Sequence, residues 1–284
     1  MTASPPIVLV FAGNDPSGGA GLAADMLALS SLGCHVTPVI TGIVIQDSAG
    51  EQDVLPIDSE WVEDQARCIL EDMKVDAIKV GLIASIETLT VIAEIASDYP
   101  EIPLVLDPVF FSKPDDHLAS EELLAMLREL LLPHTTLLIL NSIEARHLAS
   151  DDPDEQVDLT LDIAASRILD WGCEYVLITG THENTPKVIN TLYSDMGRSS
   201  VDTWDRLVGS YHGSGNTLAS AIAGALANGA EFIEAVKEGQ DYTWQTLQAA
   251  YRPGMGPQIP DRFFWARPVE EQGTVDEAKD HSAG

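Results

Sequence analysis

The sequence predicts an α/β protein in three layers, with a mostly parallel central sheet between two layers of helices. Short apolar segments alternate with segments of helical periodicity along most of the 284 residues, a pattern typical of βαβ units. The apolar segments are continuous rather than alternating, as in strands that are covered on both faces. Right-handed crossovers between such strands place helices on both faces of the sheet.

Glycine, proline and serine bound the elements of the first half, because these residues favour turns and helix caps. The predicted strands are Ile7–Ala12, Val36–Ile45, Ala77–Val80, which ends at Gly81, and Leu104–Leu106, which ends at Asp107. The predicted helices are Ala20–Leu32, Glu60–Met73 with Ser59 as its N-cap, and Ser85–Ser97.

The second half continues the alternation and then adds an antiparallel pair. Two segments, Val188–Tyr193 and Ser200–Trp204, flank a Ser-Asp-Met-Gly turn cluster and predict a hairpin at one edge of the sheet. The other predicted strands are Leu137–Leu140 and Tyr175–Thr179. The predicted helices are Ser120–Leu131, Leu159–Trp171, Gly213–Ala227 and Phe232–Tyr251.

The simplest organisation is one domain over residues 1–266, because no internal repeat and no linker rich in Pro, Gly or Ser interrupts the pattern. Residues 267–284 are acidic and poor in aromatic side chains, so we expect a disordered tail there. The N-terminus lacks the charged region and cleavage site of a signal peptide, and no apolar run has the length of a membrane span. A cytoplasmic protein is therefore expected.

The charge balance limits the kinds of partner. There are 15 basic and 45 acidic residues, so the formal net charge is −30. A phosphate backbone or an anionic membrane would be repelled, which excludes nucleic acid and membrane as main partners. Any phosphate-bearing ligand must be held locally by backbone N–H groups, helix N-termini or Mg²⁺. The three cysteines have no zinc-site spacing and are expected to be buried structural thiols.

Two glycine-rich segments follow predicted strands and open predicted helices. The first runs from Gly13 to Gly21 and contains four glycines, which let the backbone approach a ligand closely. The second, Tyr211–Thr217, would aim successive N–H groups from the start of a helix at a developing negative charge. Neither matches a Walker A loop. The alternatives, a tight strand–helix turn and an ordinary helix cap, remain open at this point.

Acidic residues follow two further strands. Asp107 ends one strand, and the run Asn141-Ser142-Ile143-Glu144 follows another. Ligands of open α/β sheets bind beyond the carboxyl ends of the strands, where two oxygen-rich groups suit Mg²⁺. Each carboxylate alone could be a turn or first-turn residue. The two glycine-rich segments, Asp107 and the run Asn141–Glu144 all fall at predicted strand ends. Their coincidence favours an ATP- and Mg²⁺-dependent phosphotransferase.

These motifs resemble those of the hydroxymethylpyrimidine/phosphomethylpyrimidine kinases of thiamine biosynthesis, in the ribokinase-like superfamily. The resemblance covers about residues 7–265, in the family's order, although pyridoxal kinases share parts of it. The motifs are the run from Ala12 to Gly21 with Ala24-Asp25, then Val44–Asp47, Ile78–Gly81, Asp107-Pro108-Val109, Asn141–Glu144 and His212–Gly215. The resemblance implies a ribokinase-like fold without a lid domain, a homodimer, and ATP and Mg²⁺ as cofactors.

The resemblance also implies roles for individual residues. Gln46 would read the aminopyrimidine edge, and Gly213, Ser214 and Gly215 would form the anion hole for the transferred phosphoryl group. The other substrate-binding positions would be Gly13, Asp25, Leu82 and Val109. Asp107 and Glu144 would act on Mg²⁺, and the nucleotide-binding positions would be Asn141, Glu144, Thr179 and Gly180.

One position departs from the family. Many members carry Cys after Gly-x-Gly, and more distant sugar kinases carry Asp, whereas this chain has Asn216 at the catalytic position. A neutral amide cannot accept the proton of the substrate hydroxyl. We therefore expect slow phosphorylation of 4-amino-5-hydroxymethyl-2-methylpyrimidine and of its monophosphate. The alternatives are a pyridoxal-type kinase and a catalytically weakened, pyrimidine-binding paralogue.

Overall fold

The structure is a computed structural model that describes residues 4–110 and 121–267. Within them, one sheet has the strand order β10-β9-β8-β7-β6-β5-β1-β2, and β3 and β4 form a separate hairpin. The strands are β1 (Ile7–Ala12), β2 (His35–Ile40), β3 (Gly42–Gln46), β4 (Glu51–Pro56), β5 (Ala77–Ile83), β6 (Leu104–Phe110), β7 (Leu137–Asn141), β8 (Tyr175–Thr179), β9 (Lys187–Ser194) and β10 (Gly197–Asp205).

Helices cover both faces of the sheet. They are α1 (Gly21–Ser31), α2 (Ser59–Asp72), α3 (Ile86–Asp98), α4 (Glu121–Met126), α5 (Ser142–Ala149), α6 (Pro153–Asp158), α7 (Leu161–Leu169), α8 (Ser214–Ala227) and α9 (Phe232–Gln248). Strand β1 shows the two layers directly, because successive strand residues point to opposite faces. Leu9 and Phe11 pack with α2, α3, α5 and α7, whereas Val8 and Val10 pack with α1, α8 and α9.

The strand directions confirm the predicted fold class. Strands β2, β1, β5, β6, β7 and β8 are parallel to one another. Strands β9 and β10 pair antiparallel at one edge, as the turn cluster predicted. Because these strands run in the same direction, their carboxyl ends lie side by side. The loops that follow β1, β5, β6, β7 and β8 therefore lie together beyond those ends.

The predicted strand Val36–Ile45 is wrong as a single element. It breaks at Thr41, whose backbone N–H donates to the Ala12 carbonyl at 3.0 Å and whose hydroxyl donates to the Leu82 carbonyl at 2.8 Å. The chain then leaves the main sheet as β3 and pairs with β4. Strand β4 escaped prediction because only Val54 of its six residues is buried.

Smaller differences concern element ends. Asp58, not Ser59, caps α2 by accepting from the Glu60 N–H at 3.0 Å. Strand β6 continues past Asp107 to Phe110, and the short helices α5 and α6 were not predicted. The predicted helix Ser120–Leu131 is described from Glu121, as α4 followed by a π-helical turn over Leu127–Leu131.

The prediction for the cysteines is right for Cys34 and Cys173, which are buried, and wrong for Cys68, which is exposed on α2. The predicted tail lies outside the described residues beyond Arg267, so the domain boundary at 266 stays a prediction. In the part of the chain that the structure describes, no helix combines the length and apolar character needed to cross a membrane.

Candidate active site

A cleft of about 720 Å³ lies at the carboxyl ends of the parallel strands. Most of the residues singled out from the sequence meet there, although they are far apart along the chain. The predicted residues that line it are Gly13, Gln46, Leu82, Asp107, Val109, Asn141, Glu144, Thr179, Gly213, Ser214, Gly215 and Asn216. Asp25 and Gly180 are not among its lining residues.

Asp15 organises the first glycine-rich loop. Its carboxylate accepts from the Ser17 N–H at 2.7 Å, the Ser17 hydroxyl at 2.9 Å and the Ala20 N–H at 2.7 Å. It also pairs with His212 Nε2 at 2.8 Å, which joins the two glycine-rich loops. Burial disfavours the charged carboxylate, but the hydrogen bonds from His212, Ser17 and Ala20 outweigh it and lower the pKa of Asp15 well below its usual range.

The second loop aims the first turn of α8 into the cleft. Gly213 has φ +82°, in the left-handed region, and a Cβ at this position would overlap the Gly19 carbonyl oxygen. Glycine is therefore required for the loops to touch. The free N–H groups at the start of α8 and the positive end of its dipole favour an anion here. Asn216 lies in this turn and is buried.

Asp107 faces the same turn from the middle of β6. A Cβ on Gly215 would lie 3.4 Å from each carboxylate oxygen of Asp107. Its Oδ2 is buried and has no hydrogen-bond partner in the described part of the chain. Burial raises the pKa of Asp107 to about 7, although the positive charge of Lys79 opposes this shift, and the carboxylate of Glu144 adds to it.

Glu144 lies one strand further along, in a capping box at the start of α5. Its Oε2 accepts from the Asn141 N–H at 2.8 Å, while Asn141 Oδ1 accepts from the Glu144 N–H at 2.9 Å. Burial raises the pKa of Glu144, and the hydrogen bonds from Asn141 oppose the shift. One oxygen of Glu144 is thus used structurally, and the other is available to a ligand.

At the opposite end, the cleft combines apolar side chains with the Gln46 amide. Val44, Leu82 and Val109 line it, and Gly13 must lack a side chain because a Cβ would overlap Leu82. Gln46 faces this pocket with its amide 3.3 Å from His212 Nε2. His212 Nε2 donates to Asp15 of the first loop and cannot also accept from the Gln46 amide nitrogen, so Gln46 lies against His212 without a hydrogen bond to it.

Sequence reasoning missed most of the far wall of the cleft. Arg206, just after β10, donates to the carbonyl oxygens of Thr181 at 2.7 Å and Glu183 at 3.0 Å, and so shapes the loop after β8. Trp204 and Trp244 also line this wall, with ring centroids 6.2 Å apart. Arg206 could have been noticed in the sequence, because basic residues are scarce in this chain and Arg206 comes just after a predicted strand.

The two predicted residues outside the lining have structural partners. Asp25 is fully buried, with its carboxylate 3.0 Å from Lys79 Nζ and 2.8 Å from the Ser220 hydroxyl. Asp25 was expected to bind substrate, but it lies beneath the cleft and is not among the lining residues. Gly180 lies behind Thr179, where a Cβ would overlap the Ile189 carbonyl oxygen, so its role is close backbone packing.

The fold and the cleft define a phosphotransferase of the ribokinase-like class, since a helix N-terminus and two acidic strand ends surround one cleft. The family model described as phosphomethylpyrimidine kinase matches residues 15–260. The chain belongs to this family, as the sequence motifs predicted.

Curated relatives agree over most of the chain. The hydroxymethylpyrimidine/phosphomethylpyrimidine kinase of Mycobacterium tuberculosis is 35% identical over 89% of this chain and 92% of its own length. The enzyme of the same name from Escherichia coli is 31% identical over 90% of this chain and 98% of its own length.

Solved structures confirm the fold. An ADP complex of Bacillus subtilis pyridoxal kinase superposes with a TM-score of 0.82 at 27% identity, over 93% of this chain and 99% of that one. A phosphomethylpyrimidine kinase from Clostridium difficile gives a TM-score of 0.70 at 28% identity, over 85% of this chain and 99% of that one.

Proposed function

We propose that this protein transfers the γ-phosphoryl group of ATP to 4-amino-5-hydroxymethyl-2-methylpyrimidine and then to the resulting monophosphate. The observation that carries the proposal is the position of the α8 N-terminus, with Gly215 against Asp107, in a cleft whose other end holds Gln46. Family membership supports the same activity. Phosphoryl transfer depends mainly on positioning and charge stabilisation, and this cleft offers both.

The substrate would bind between the first loop and the β3–β4 hairpin. Val44, Leu82 and Val109 supply apolar contacts to a flat ring, and the Gln46 amide can pair with an edge that carries an amino group beside a ring nitrogen. The hydroxymethyl group would then point toward Asn216. This placement matches the roles that the resemblance implied.

The nucleotide would occupy the wall opposite Gln46. Thr179, Asn141 and Arg206 line this part of the cleft. Its γ-phosphate would reach the N–H groups of Gly213, Ser214 and Gly215. In a chain of net charge −30, these N–H groups and the helix dipole are the local device that an anionic ligand requires.

The residues present also fit Mg²⁺. Asp107 has a buried oxygen without a partner among the described residues, and burial, with a smaller contribution from the Glu144 carboxylate, raises its pKa, so a bound cation would relieve both costs. In the described ranges, no group of three or more metal-ligating side chains occurs. Two carboxylates with substrate phosphates are a common arrangement for Mg²⁺. The ion would neutralise phosphate charge.

Asn216 leaves the site without a side-chain proton acceptor at the position where many members of the family carry Cys. We propose that the protein is a slow kinase rather than an inactive paralogue, because the backbone N–H groups and Asp107 do not depend on the Asn216 side chain. Loss of a general base lowers rates by about 10²–10⁴-fold and leaves residual transfer.

We propose a cytoplasmic homodimer. The β3–β4 hairpin turns Val44 toward the cleft, and its other face exposes Ile43, Ile45 and Leu55, which are 45%, 58% and 64% exposed. Adjacent exposed apolar side chains of this kind are typical of interfaces. Light scattering of the wild type and of Ile45→Glu tests the dimer, which the charge should weaken.

A pyridoxal-type kinase is the second candidate, favoured by the higher TM-score of the pyridoxal kinase structure. Coupled ADP-release assays with hydroxymethylpyrimidine and with pyridoxal separate the two. We expect a higher kcat/KM for the pyrimidine. A preference for pyridoxal would make the second candidate correct, and pyrimidine binding without turnover of either substrate would indicate the inactive paralogue.

A further inference from the structure

Arg262 is a buried arginine between the two glycine-rich loops. It lies two residues beyond the part of the chain that the family model matches, and its side chain does not line the cleft. Only 2% of the residue is exposed. Burial lowers the pKa of its guanidinium, and charged side chains are almost never fully buried without strong partners.

The guanidinium bridges the two loops through their backbones. Its Nη2 donates to the Gly19 carbonyl at 2.6 Å and to the Gly213 carbonyl at 3.3 Å. Its Nε donates to the Thr217 hydroxyl at 3.1 Å, and that hydroxyl donates to the Gly213 carbonyl at 2.8 Å. One side chain thus links the first loop to the first turn of α8.

The salt bridges found among residues 4–110 and 121–267 do not include Arg262. Its guanidinium is held by carbonyl oxygens and a hydroxyl, and the carboxylates of Asp25 and Asp15 favour its charge from a greater distance. It lies close to Gly213, where a Cβ would be 2.8 Å from Arg262 Nη2, and it is not among the residues that line the cleft. A positive charge in this position adds to the field of the helix N-terminus.

The segment that carries Arg262 is fixed independently of the guanidinium. The Tyr242 hydroxyl donates to the Arg262 carbonyl at 2.8 Å, and the Asp261 N–H donates to the Thr246 carbonyl at 3.0 Å. The His212 N–H donates to the Gln258 carbonyl at 2.8 Å. Helix α9 and the second loop therefore hold the segment in place, so the guanidinium can reach the first loop.

We propose that Arg262 is a positioning residue for phosphoryl transfer: its guanidinium fixes the separation of the two glycine-rich loops and adds positive charge beside the anion hole. The loops hold different ligands, since the first lies beside the ring pocket and the second presents the N–H groups. Their separation sets the distance between the substrate hydroxyl and the phosphoryl group. The expected effect on kcat rests on the proposed function, whereas the link between the two loops does not.

The test compares Arg262→Met and Arg262→Lys with Tyr242→Phe, which removes a hydrogen bond to the same segment and leaves the guanidinium untouched. A small displacement of reacting groups can lower rates by roughly 10²-fold. We expect Arg262→Met to lower kcat by about that factor with KM for the pyrimidine changed less than about threefold. Arg262→Lys should recover part of the loss, because it keeps the charge but not the forked geometry.

Hydrogen–deuterium exchange gives a readout that does not depend on activity. We expect faster exchange in residues 13–22 and 212–218 of Arg262→Met, a smaller change for Lys, and none in these segments for Tyr242→Phe. Unchanged exchange in both loops, or a kcat equal to that of the wild type, would overturn the proposal. A lower melting temperature with exchange raised evenly along the chain would also overturn it.

The two proposals fail separately. If the wild type phosphorylates neither hydroxymethylpyrimidine nor pyridoxal, the proposed function is wrong. The exchange comparison still decides whether Arg262 links the loops. If Arg262→Met does not fold, Arg262→Lys and Arg262→Gln carry the same comparison, with Gln expected to show the lower kcat and the faster loop exchange.

Discussion

Two carboxylates of the same cleft have opposite surroundings. Asp15 receives hydrogen bonds from Ser17, Ala20 and His212, and its pKa is lowered despite burial. Asp107 has a buried oxygen without a partner among the described residues, and its pKa is raised to about 7. Burial is common to both, so hydrogen bonding decides the direction. A carboxylate whose oxygens already accept hydrogen bonds, such as Asp15, stabilises the loop that carries it. A carboxylate with an oxygen that accepts none from the described residues, such as Asp107, is available to a ligand.

The largest expected effect is a gain at Asn216, on the Asp107 side. Asn216→Cys should raise kcat by a factor within about 10²–10⁴, because a thiolate can accept the hydroxyl proton. Asn216→Asp should gain less, since its carboxylate would lie near Asp107 and the incoming phosphates. Steady-state kinetics on the three proteins, with melting curves to confirm folding, measures this.

Equal turnover in all three proteins would show that the proton leaves by another route. No turnover in any of them, despite intact pyrimidine binding, would show that the site is not a kinase site.

The next effect tests the unused acceptor. Asp107→Asn should lower kcat by about 10²–10³-fold, as expected when preorganised charge is lost from a transition state. It should also raise the Mg²⁺ requirement, and Glu144→Gln should do the same more weakly. Calorimetry should show nearly unchanged affinity for the free pyrimidine.

Asp98→Asn is the matched control, because it makes the same chemical change in an exposed ion pair with Arg67. An unaltered Mg²⁺ titration for both Asp107→Asn and Glu144→Gln would make these carboxylates structural.

A smaller effect is expected on the Asp15 side, where Gln46 lies against His212, the hydrogen-bond partner of Asp15. Gln46→Leu should weaken pyrimidine binding by about 1–3 kcal/mol, because the amino-pyrimidine edge loses its partner in a buried site. Affinity for ATP should change little. If calorimetry shows both affinities falling together, or neither, Gln46 does not select the ligand.

The smallest effect is in the pH dependence of stability, where the two carboxylates should act with opposite sign. Asp15 has a lowered pKa in the folded state, so its contribution is full above the ordinary carboxyl pKa of 3.8 and is lost as pH falls. Asp107 keeps its proton up to about pH 7 when folded but loses it near 3.8 when unfolded, so it destabilises as pH rises between these values.

Urea unfolding of Asp107→Asn and the wild type between pH 4 and 7 measures the second contribution. The difference between the free energies of unfolding of the two proteins should change by less than about 1.4 kcal/mol per pH unit. Added Mg²⁺ should flatten the difference, and parallel curves without Mg²⁺ would contradict the raised pKa of Asp107.

Local pattern was enough to predict much of the fold. Strands β1 and β8 agree residue for residue with their predicted bounds, and the edge hairpin was found from its turn cluster. Helix α3 starts within one residue of its predicted start, because Ser85 caps it by accepting from the Thr88 N–H at 3.1 Å. These features depend on neighbours within a few residues, where apolar periodicity and capping chemistry act directly.

The larger errors have a different cause. The break at Thr41, the burial of Asp25 against Lys79 and Ser220, and the use of Arg206 all depend on residues distant in the chain. The contact between Asp25 and Ser220 spans 195 positions. No local pattern distinguishes a carboxylate that will line a cleft from one that will lie beneath it.

The chemistry of the site divides in the same way. The residue types, their order and their places after strands follow from the chain alone, because they are local facts about composition and spacing. Whether Asp15 or Asp107 holds a proton, and which side chain joins the two glycine-rich loops, depends on packing. Burial and hydrogen-bond partners set those properties, and in this protein both come from segments up to 243 positions apart, as between Gly19 and Arg262.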